Sequence, residues 1–405
     1  MKSELVTVLD LGSTKVAGLV ASLGEQDDIR IHAVALEGCK GIRRGVVTDL
    51  EETSKSIEGV LRKLKEACGH DPAGVVVGVS GAHIEGISAQ GYVPIYPRSR
   101  SITRDDVLQV IKHSRQLSLP PDREQIQAIP REFRVDGQRG VQRPVGMVGS
   151  RLETVTYIVT GQTTHIQNIE KAVNMAGKRV DSMVLESLAS GLAVLTQEEM
   201  ELGAAVVDIG GGSTDMAIFT GGAIAFSAVV PVGGVLVTSD VSKLLKTAPE
   251  EAERLKLVYG SAIANEIDTG QKVEVTQIGQ DHARPLQRRV LCEIIESRMG
   301  EIAVMVRQQI EKSGLGAAIP GGVVLTGGGA MLAGAESLFQ DVLKGTRVRS
   351  AEPEIREMAF SSHSFATAVG LARFAIECAD GDLVPAGGVG DWKDHIRTLW
   401  FKKKK

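Results

Sequence analysis

The chain has 405 residues, 43% hydrophobic and 24% charged, with a formal net charge of −4. That length accommodates two or more domains, and the mild acidity argues against bulk nucleic-acid binding. Four scattered cysteines (Cys39, Cys68, Cys292, Cys378) and histidines without ligand spacing argue against a disulfide scaffold or a protein-built metal centre, and predict reduced thiols in a cytoplasmic protein. No charge-free apolar run reaches the roughly 18 residues that span a bilayer. The opening MKSELVTVLDLG lacks the pattern of a signal peptide.

VTVLDLGSTKVAGLV is apolar, then tight and polar, then apolar again, which predicts two strands joined by a turn. AAVVDIGGGSTDMAIF repeats the pattern: an Asp, an apolar residue, glycine, then Ser-Thr, with Asp10 and Asp208 as matching positions. A duplicated turn predicts two related domains facing one another. The residue types suit polyphosphate. Glycines let backbone N–H groups come close to a phosphate. Hydroxyls add donors, and a carboxylate at the strand end can hold hydrated Mg2+. Lys15 can reach a terminal phosphate as a point charge. Neither copy has the G-x-x-x-x-G-K-[ST] spacing of a P-loop. Later, GGVVLTGGGAMLAGAESLFQDVL predicts a buried strand, 323–326, running into Gly327, Gly328 and Gly329. A helix carrying Leu338, Val342 and Leu343 on its apolar side is expected to follow, and the glycine strip could lie against an adenine or ribose.

The end of the chain has its own chemistry. Both tryptophans are here, and Trp392, Ile396, Leu399 and Trp400 fall at i, i+4, i+7 and i+8, one stripe of an α-helix. Lys402, Lys403, Lys404 and Lys405 follow. From 391 to 405 six Lys/Arg against two Asp give +4. Indole settles at the headgroup boundary and lysine meets anionic lipid, so 391–405 reads as a helix lying in the membrane plane, too short to span. The Gly- and Pro-containing stretch before it reads as a linker.

The two phosphate hairpins and the adenosine turn, in that order, resemble the actin-like ATPase superfamily. Within it, DLGSTKVAGLVA, KGIRRGVVTDLEET, VVVGVSGAHIEG, FRVDGQRGVQRPVGMVGSRLE, VVDIGGGSTDMAIFTGGAI and LQRRVLCEIIESRM are similar to the FtsA family of cell-division proteins, from about residue 3 onward. The resemblance implies an α/β actin-like fold, two related halves around a nucleotide cleft, in four subdomains. These are 1A at 1–85 plus 363–384, the family-specific 1C at 86–162, 2A at 163–232 plus 313–362, and 2B at 233–312. A linker at 385–390 and the amphipathic helix at 391–405 complete it.

Carried over by motif, Gly12, Ser13, Thr14 and Lys15 form the first phosphate loop, and Gly210, Gly211, Gly212, Ser213 and Thr214 the second. Asp10 and Asp208 are the Mg2+-side carboxylates, acting through water. Gly327, Gly328, Gly329 and Met331 border the adenosine. Glu253 and Lys256 reach base or ribose, or pair with each other as i,i+3 neighbours. SMVLESLASGLAVL (182–195) and HSFATAVGLARFA (363–375) are expected as the connecting helices, crossing closely through Ala189, Ser190, Gly191, Ala368 and Gly370. Glu186 would sit near the attacking water. In 1C, a helix capped by Ser101 or Thr103 would pack Val107, Val110 and Ile111 inward. Arg284, Arg288, Arg289 and Arg298 would offer the acidic, apolar FtsZ tail one basic surface on 2B.

The family role implied is an ATP-binding adaptor, at most a slow ATPase, that self-associates into filaments, ties FtsZ to anionic membrane lipid and recruits later division proteins. Two other readings share the fold: another membrane-associated actin homologue, for shape or pilus assembly, and a small-molecule kinase. The kinase would need a substrate cavity and a base beyond Glu186.

Overall fold

Two five-stranded sheets of one topology form the frame of the protein, which a computed structural model describes for residues 5–24, 29–280, 282–353 and 363–380. In the first sheet Val6–Leu11, Lys15–Leu23 and Ile29–Gly38 pair antiparallel in that order, while Gly74–Val79 and Arg179–Leu185 extend the other side in parallel. The second repeats the plan. Ala204–Ile209, Thr214–Thr220 and Ala223–Val230 are antiparallel, and Val323–Thr326 and Val348–Ser350 are parallel. The duplicated motif of the sequence is therefore a duplicated sheet. Both central strands are apolar runs, VTVLDL and AAVVDI, as expected for strands covered on both faces.

Each half carries an insertion. Residues 84–162 leave the first sheet to build an antiparallel sheet in the order Gln138–Val141, Arg123–Val135, Arg151–Gln162, Ile84–Pro94. Its helix, Arg104–Ser114, starts at Thr103, which closes a capping box with Asp106, and Val107, Val110 and Ile111 are buried beneath it. Residues 234–313 insert in the second half as helices Gly234–Leu245, Pro249–Tyr259 and Arg288–Ser313 with a short ribbon, Lys272–Val275 against Arg284–Gln287.

Helices Glu186–Val194 and Ala366–Asp380 cross between the halves. A Cβ on Gly370 would overlap the carbonyl oxygen of Ala189, so only glycine permits this approach. The first of these helices is shorter than expected over 182–195. Met183, Val184 and Leu185 belong to a strand instead, pairing in parallel with Val77, Gly78 and Val79. An apolar run of that length suits either state, and the open sheet edge decides it. The second begins with a 3-10 turn, His363–Phe365, before the α-helix. Among the described residues no helix is long and apolar enough to cross a membrane.

Candidate functional site

The two glycine turns meet tip to tip. Leu11 faces Val16 across the first hairpin and Ile209 faces Thr214 across the second, so the turns have equal length. A Cβ on Gly211 would lie 2.7 Å from Thr14 Cγ2, and one on Gly212 would overlap Ser13 Oγ. Among the described residues no backbone carbonyl takes the N–H of Ser13, Thr14, Gly211 or Gly212. Unpaired donors gathered at two facing turns suit an oxyanion. Equal turn length also corrects the reading by shared letters: Ser13 and Thr14 correspond in space to Gly211 and Gly212. Ser213 and Thr214 lie on the returning side and are buried. Ser213 Oγ donates to Asp215 Oδ2 at 2.9 Å, and Thr214 Oγ1 to the Val232 carbonyl at 2.8 Å. These two hydroxyls are engaged within the protein and are not offered to a phosphate.

Behind the turns four carboxyl groups lie close enough to feel one another, and the ammonium of Lys15 acts on two of them, Asp10 and Asp208. Asp10 and Asp208 are both buried, on the equivalent strands. Asp208 Oδ2 accepts from Ser190 Oγ at 2.6 Å and from Thr367 Oγ1 at 3.0 Å, one hydroxyl from each crossing helix. Burial pushes the Asp10 carboxyl up to about 7; Lys15 opposes the shift and Asp208 adds to it. Asp215, directly opposite Asp208 in the hairpin, is likewise pushed to about 7 by burial, although Ser80 and Ser213 donate to it. Glu186, in the first turn of its helix, is raised well above the carboxylate range by burial and by Asp10, Asp215 and Asp208. Lys15 is lowered by burial and donates to the Ser364 carbonyl at 2.9 Å, with its Nζ 5.2 Å from the centre of the Phe365 ring.

Asp215, Ser80 and Thr367 were not among the sequence candidates. For Asp215 a signal existed: in a hairpin of this turn length residue i faces i+7, and Asp208 plus seven is Asp215, whereas Asp10 plus seven is Ala17.

At the third turn, Val323–Thr326 ends at Gly327, whose φ of 82° belongs to glycine, and a 3-10 turn, Gly328–Met331, precedes helix Ala335–Val342. Leu343 is the residue that caps this helix, just outside it. A Cβ on Gly327 would overlap Asp208 Oδ1, which places this backbone beside the acidic cluster, and Met331 is exposed. Glu253 and Lys256 pair with each other at 2.7 Å. Lys256 Nζ also reaches Thr238 Oγ1 at 2.9 Å and the Gly234 carbonyl at 3.3 Å, in the helix that follows the second hairpin. The pair therefore faces the cleft-side helix as well as solvent.

The four arginines expected as one basic surface are divided. Arg288 donates to the Tyr259 carbonyl and Gln271, and Arg289 to Asn265 and Glu293, at the start of the long helix. Arg284 is exposed on the adjoining ribbon. Arg298 lies roughly 14 Å further along the helix, its charge offset by Asp240 and Glu301. The membrane candidates Trp392, Ile396, Leu399, Trp400 and Lys402 to Lys405 lie outside the described residues.

The residues gathered here are of the kinds that could hold an oxyanion and, through water, a cation. The turns present unpaired N–H groups. The carboxylates outnumber the ammonium, and a hydrated cation would supply the missing positive charge. Comparison with known proteins bears on the chain as a whole. The family model described as "Cell division protein FtsA" matches residues 205–370, and that described as "SHS2 domain inserted in FTSA" matches residues 81–160. Cell division protein FtsA of Neisseria meningitidis is 35% identical over 92% of this chain and 91% of its own length. That of Escherichia coli K12 is 32% identical over 99% and 98%. Among solved structures, a PilM–PilN type IV pilus biogenesis complex superposes with a TM-score of 0.63 at 17% identity, over 92% of this chain and 98% of that one. MreB5 of Spiroplasma citri bound to ADP gives 0.56 at 14%, over 92% and 95%. These structures share the actin-like fold; the relatives, matched along nearly their whole length, place the chain in the FtsA family of cell division proteins.

Proposed function

We propose that the protein is an ATP-binding adaptor of cell division that assembles into filaments and holds FtsZ polymers at the inner face of the cytoplasmic membrane, where later division proteins join it. The observation that carries the nucleotide part is the meeting of two equal turns, with unpaired backbone donors, over an overloaded acidic cluster. In this reading ATP lies in the cleft. Its phosphates rest on Ser13, Thr14, Gly211 and Gly212, and hydrated Mg2+ sits beside Asp10 and Asp208. The nucleoside lies between the Gly327–Gly329 strip and the Glu253–Lys256 pair. Bound Mg2+ supplies charge neutralisation; the chain's own part is to seat and orient the phosphates. Glu186, its proton held by burial and then by its acidic neighbours, would be the group that takes part in slow hydrolysis. The FtsZ tail would dock near Arg284, Arg288 and Arg289, with Arg298 as a more distant, partly neutralised contact.

Membrane attachment would come from 391–405, and a filament presenting many such segments would bind by avidity. Co-sedimentation with vesicles tests this part. The full chain should pellet with anionic vesicles, and more so with Mg-ATP, whereas a version ending at Gly387 should stay in solution. If both versions stay in solution on anionic vesicles, the adaptor reading loses its anchor.

A further inference from the structure

A cavity of roughly 1260 Å³ is walled by the 84–162 insert, the second sheet and the two crossing helices, and no residue of the phosphate turns lines it. Pockets for small molecules commonly hold about 300–1,000 Å³, so the space suffices for one. Polar and apolar side chains share the wall, and most of the apolar ones already belong to the core. Charge rather than apolar area therefore has to select an occupant. Four arginines and three glutamates line the cavity. Arg134 and Glu132 satisfy each other, with Arg134 Nε donating to Glu132 Oε1 at 2.9 Å. Arg131, Arg143 and Arg373 remain, and none of the three forms an ion pair among the described residues.

Arg131 is held in an unusual place. Val155 faces Glu132 and Thr156 faces Pro130, so Arg131 is the unpaired residue of a β-bulge, a device that re-aims a side chain. Its Nη2 crosses to the second sheet and donates to Thr220 Oγ1 at 3.3 Å, while its Nε is buried without a hydrogen-bond partner. Burial lowers its pKa; Glu132 opposes the shift, but that carboxylate is already engaged by Arg134. A guanidinium withdrawn from water without its own counter-charge is costly, and a bound anion removes that cost. Arg373 donates through Nη1 to the Leu192 carbonyl at 2.7 Å and leaves its remaining donors unused among the described residues. Arg143 is exposed on the loop after Gln138–Val141 and has no partner among the described residues. Glu201 and Glu377 line the helix side, two carboxylates against these three guanidinium groups.

We infer that this cavity is a second anion site, which takes a small soluble phosphate compound carrying at least two negative charges, with Arg131 as the anchor and Arg143 and Arg373 as further contacts. Guanidinium meets phosphate through paired N–H bonds, and arginines on separate walls can grip different oxygens. Thr220 Oγ1 accepts from Arg131 and keeps its own O–H to donate. The site is independent of the nucleotide cleft: none of its residues belongs to the turns or to the acidic cluster. Because its wall joins the insert to the second sheet and to a crossing helix, a bound anion ties these parts together.

Calorimetric titration of the full chain with pyrophosphate, in EDTA at physiological ionic strength, tests the site. The wild type should give saturable binding. Arg131→Gln should weaken it by about tenfold or more, and Arg143→Glu, on an exposed loop where folding is not at stake, severalfold. Two controls assign the effect. Lys312→Glu, at the exposed end of helix Arg288–Ser313, makes the same change of net charge outside the cavity, and Lys15→Gln alters the phosphate turns. Both should keep the wild-type affinity for pyrophosphate, and the two arginine variants should keep that for Mg-ATP. No saturable binding in the wild type would overturn the proposal. So would an affinity that ignores both arginine substitutions, one that Lys312→Glu lowers as much as they do, or one that falls only in Lys15→Gln and so belongs to the turns.

Discussion

Asp208 carries more of the site's logic than any other single residue. One of its oxygens accepts from both crossing helices, and the other lies beside Gly327. Asp208→Asn keeps an acceptor for Ser190 and Thr367 while removing a buried charge. Mg-ATP affinity measured by calorimetry should therefore fall by about tenfold or more, about 1.4 kcal/mol, with the melting temperature unchanged or raised. A wild-type affinity in the variant would remove Asp208 from the cation's side of the cleft. A second residue-scale effect sits at the entrance to the insert. His83 is buried, its ring centre 4.7 Å from that of His165 with Arg123 close by; burial first, then these two neighbours, lower its pKa to about 4. The folded protein thus resists a proton that the unfolded chain accepts at about 6.5. Stability is full above that value and falls as pH drops towards 4, by about 3 kcal/mol in all from this group. Asp10 and Asp215, raised to about 7, gain stability over the same interval, so the share of His83 is read as a difference: between pH 7 and pH 5 in urea unfolding, His83→Phe should gain more, or lose less, stability than wild type. Asp10, Asp208 and the glycines were legible as letters in a repeat. Asp215, Ser80 and Thr367 were not, because their roles arise from which strand or helix faces which.

Between elements, the decisive contact is the crossing of Glu186–Val194 with Ala366–Asp380. Gly370→Leu would drive a side chain into the Ala189 backbone. Overpacking there should cost about 2 kcal/mol or more in urea unfolding. Because Ser190 and Thr367 would part, it should also weaken nucleotide binding beyond what the stability loss explains. An unchanged nucleotide affinity in the folded variant would uncouple the crossing from the cleft. The small residues that allow this crossing could be read from the sequence, as could both hairpins and the third strand, while the cap was narrowed to Ser101 or Thr103 and the structure has Thr103. The start of the first helix could not, since Met183–Leu185 is apolar in a way that serves strand or helix, and only the neighbouring strand settles it. The arginine surface was misjudged for a similar reason. Spacing along the helix was visible, but Asp240, which neutralises Arg298, comes from a distant element.

For the whole molecule, the 84–162 insert does more than extend the first half. Tyr157 Oη and Ser227 Oγ meet at 2.8 Å, and Arg131 Nη2 donates to Thr220 Oγ1 at 3.3 Å, so the insert is fastened to the second sheet as well. Tyr157→Phe should cost only about 1 kcal/mol globally. Amide exchange in 223–230 and 84–94 should rise together if this bridge holds the insert down, and stay as in wild type if packing alone does. The repeated sheet made two facing halves foreseeable, whereas a bridge between insert and second half depends on contacts remote in sequence.

Two halves of one plan invite the expectation of a symmetrical cleft, yet equal turn length shows where the likeness is broken. Lys15 stands where the second hairpin has Ser213, and Asp215 where the first has Ala17. One lip carries the cation and the other the additional acid. A pseudo-twofold seat of that kind has a polarity, so a ligand with two unlike ends meets a different reception in each orientation and enters only one way round.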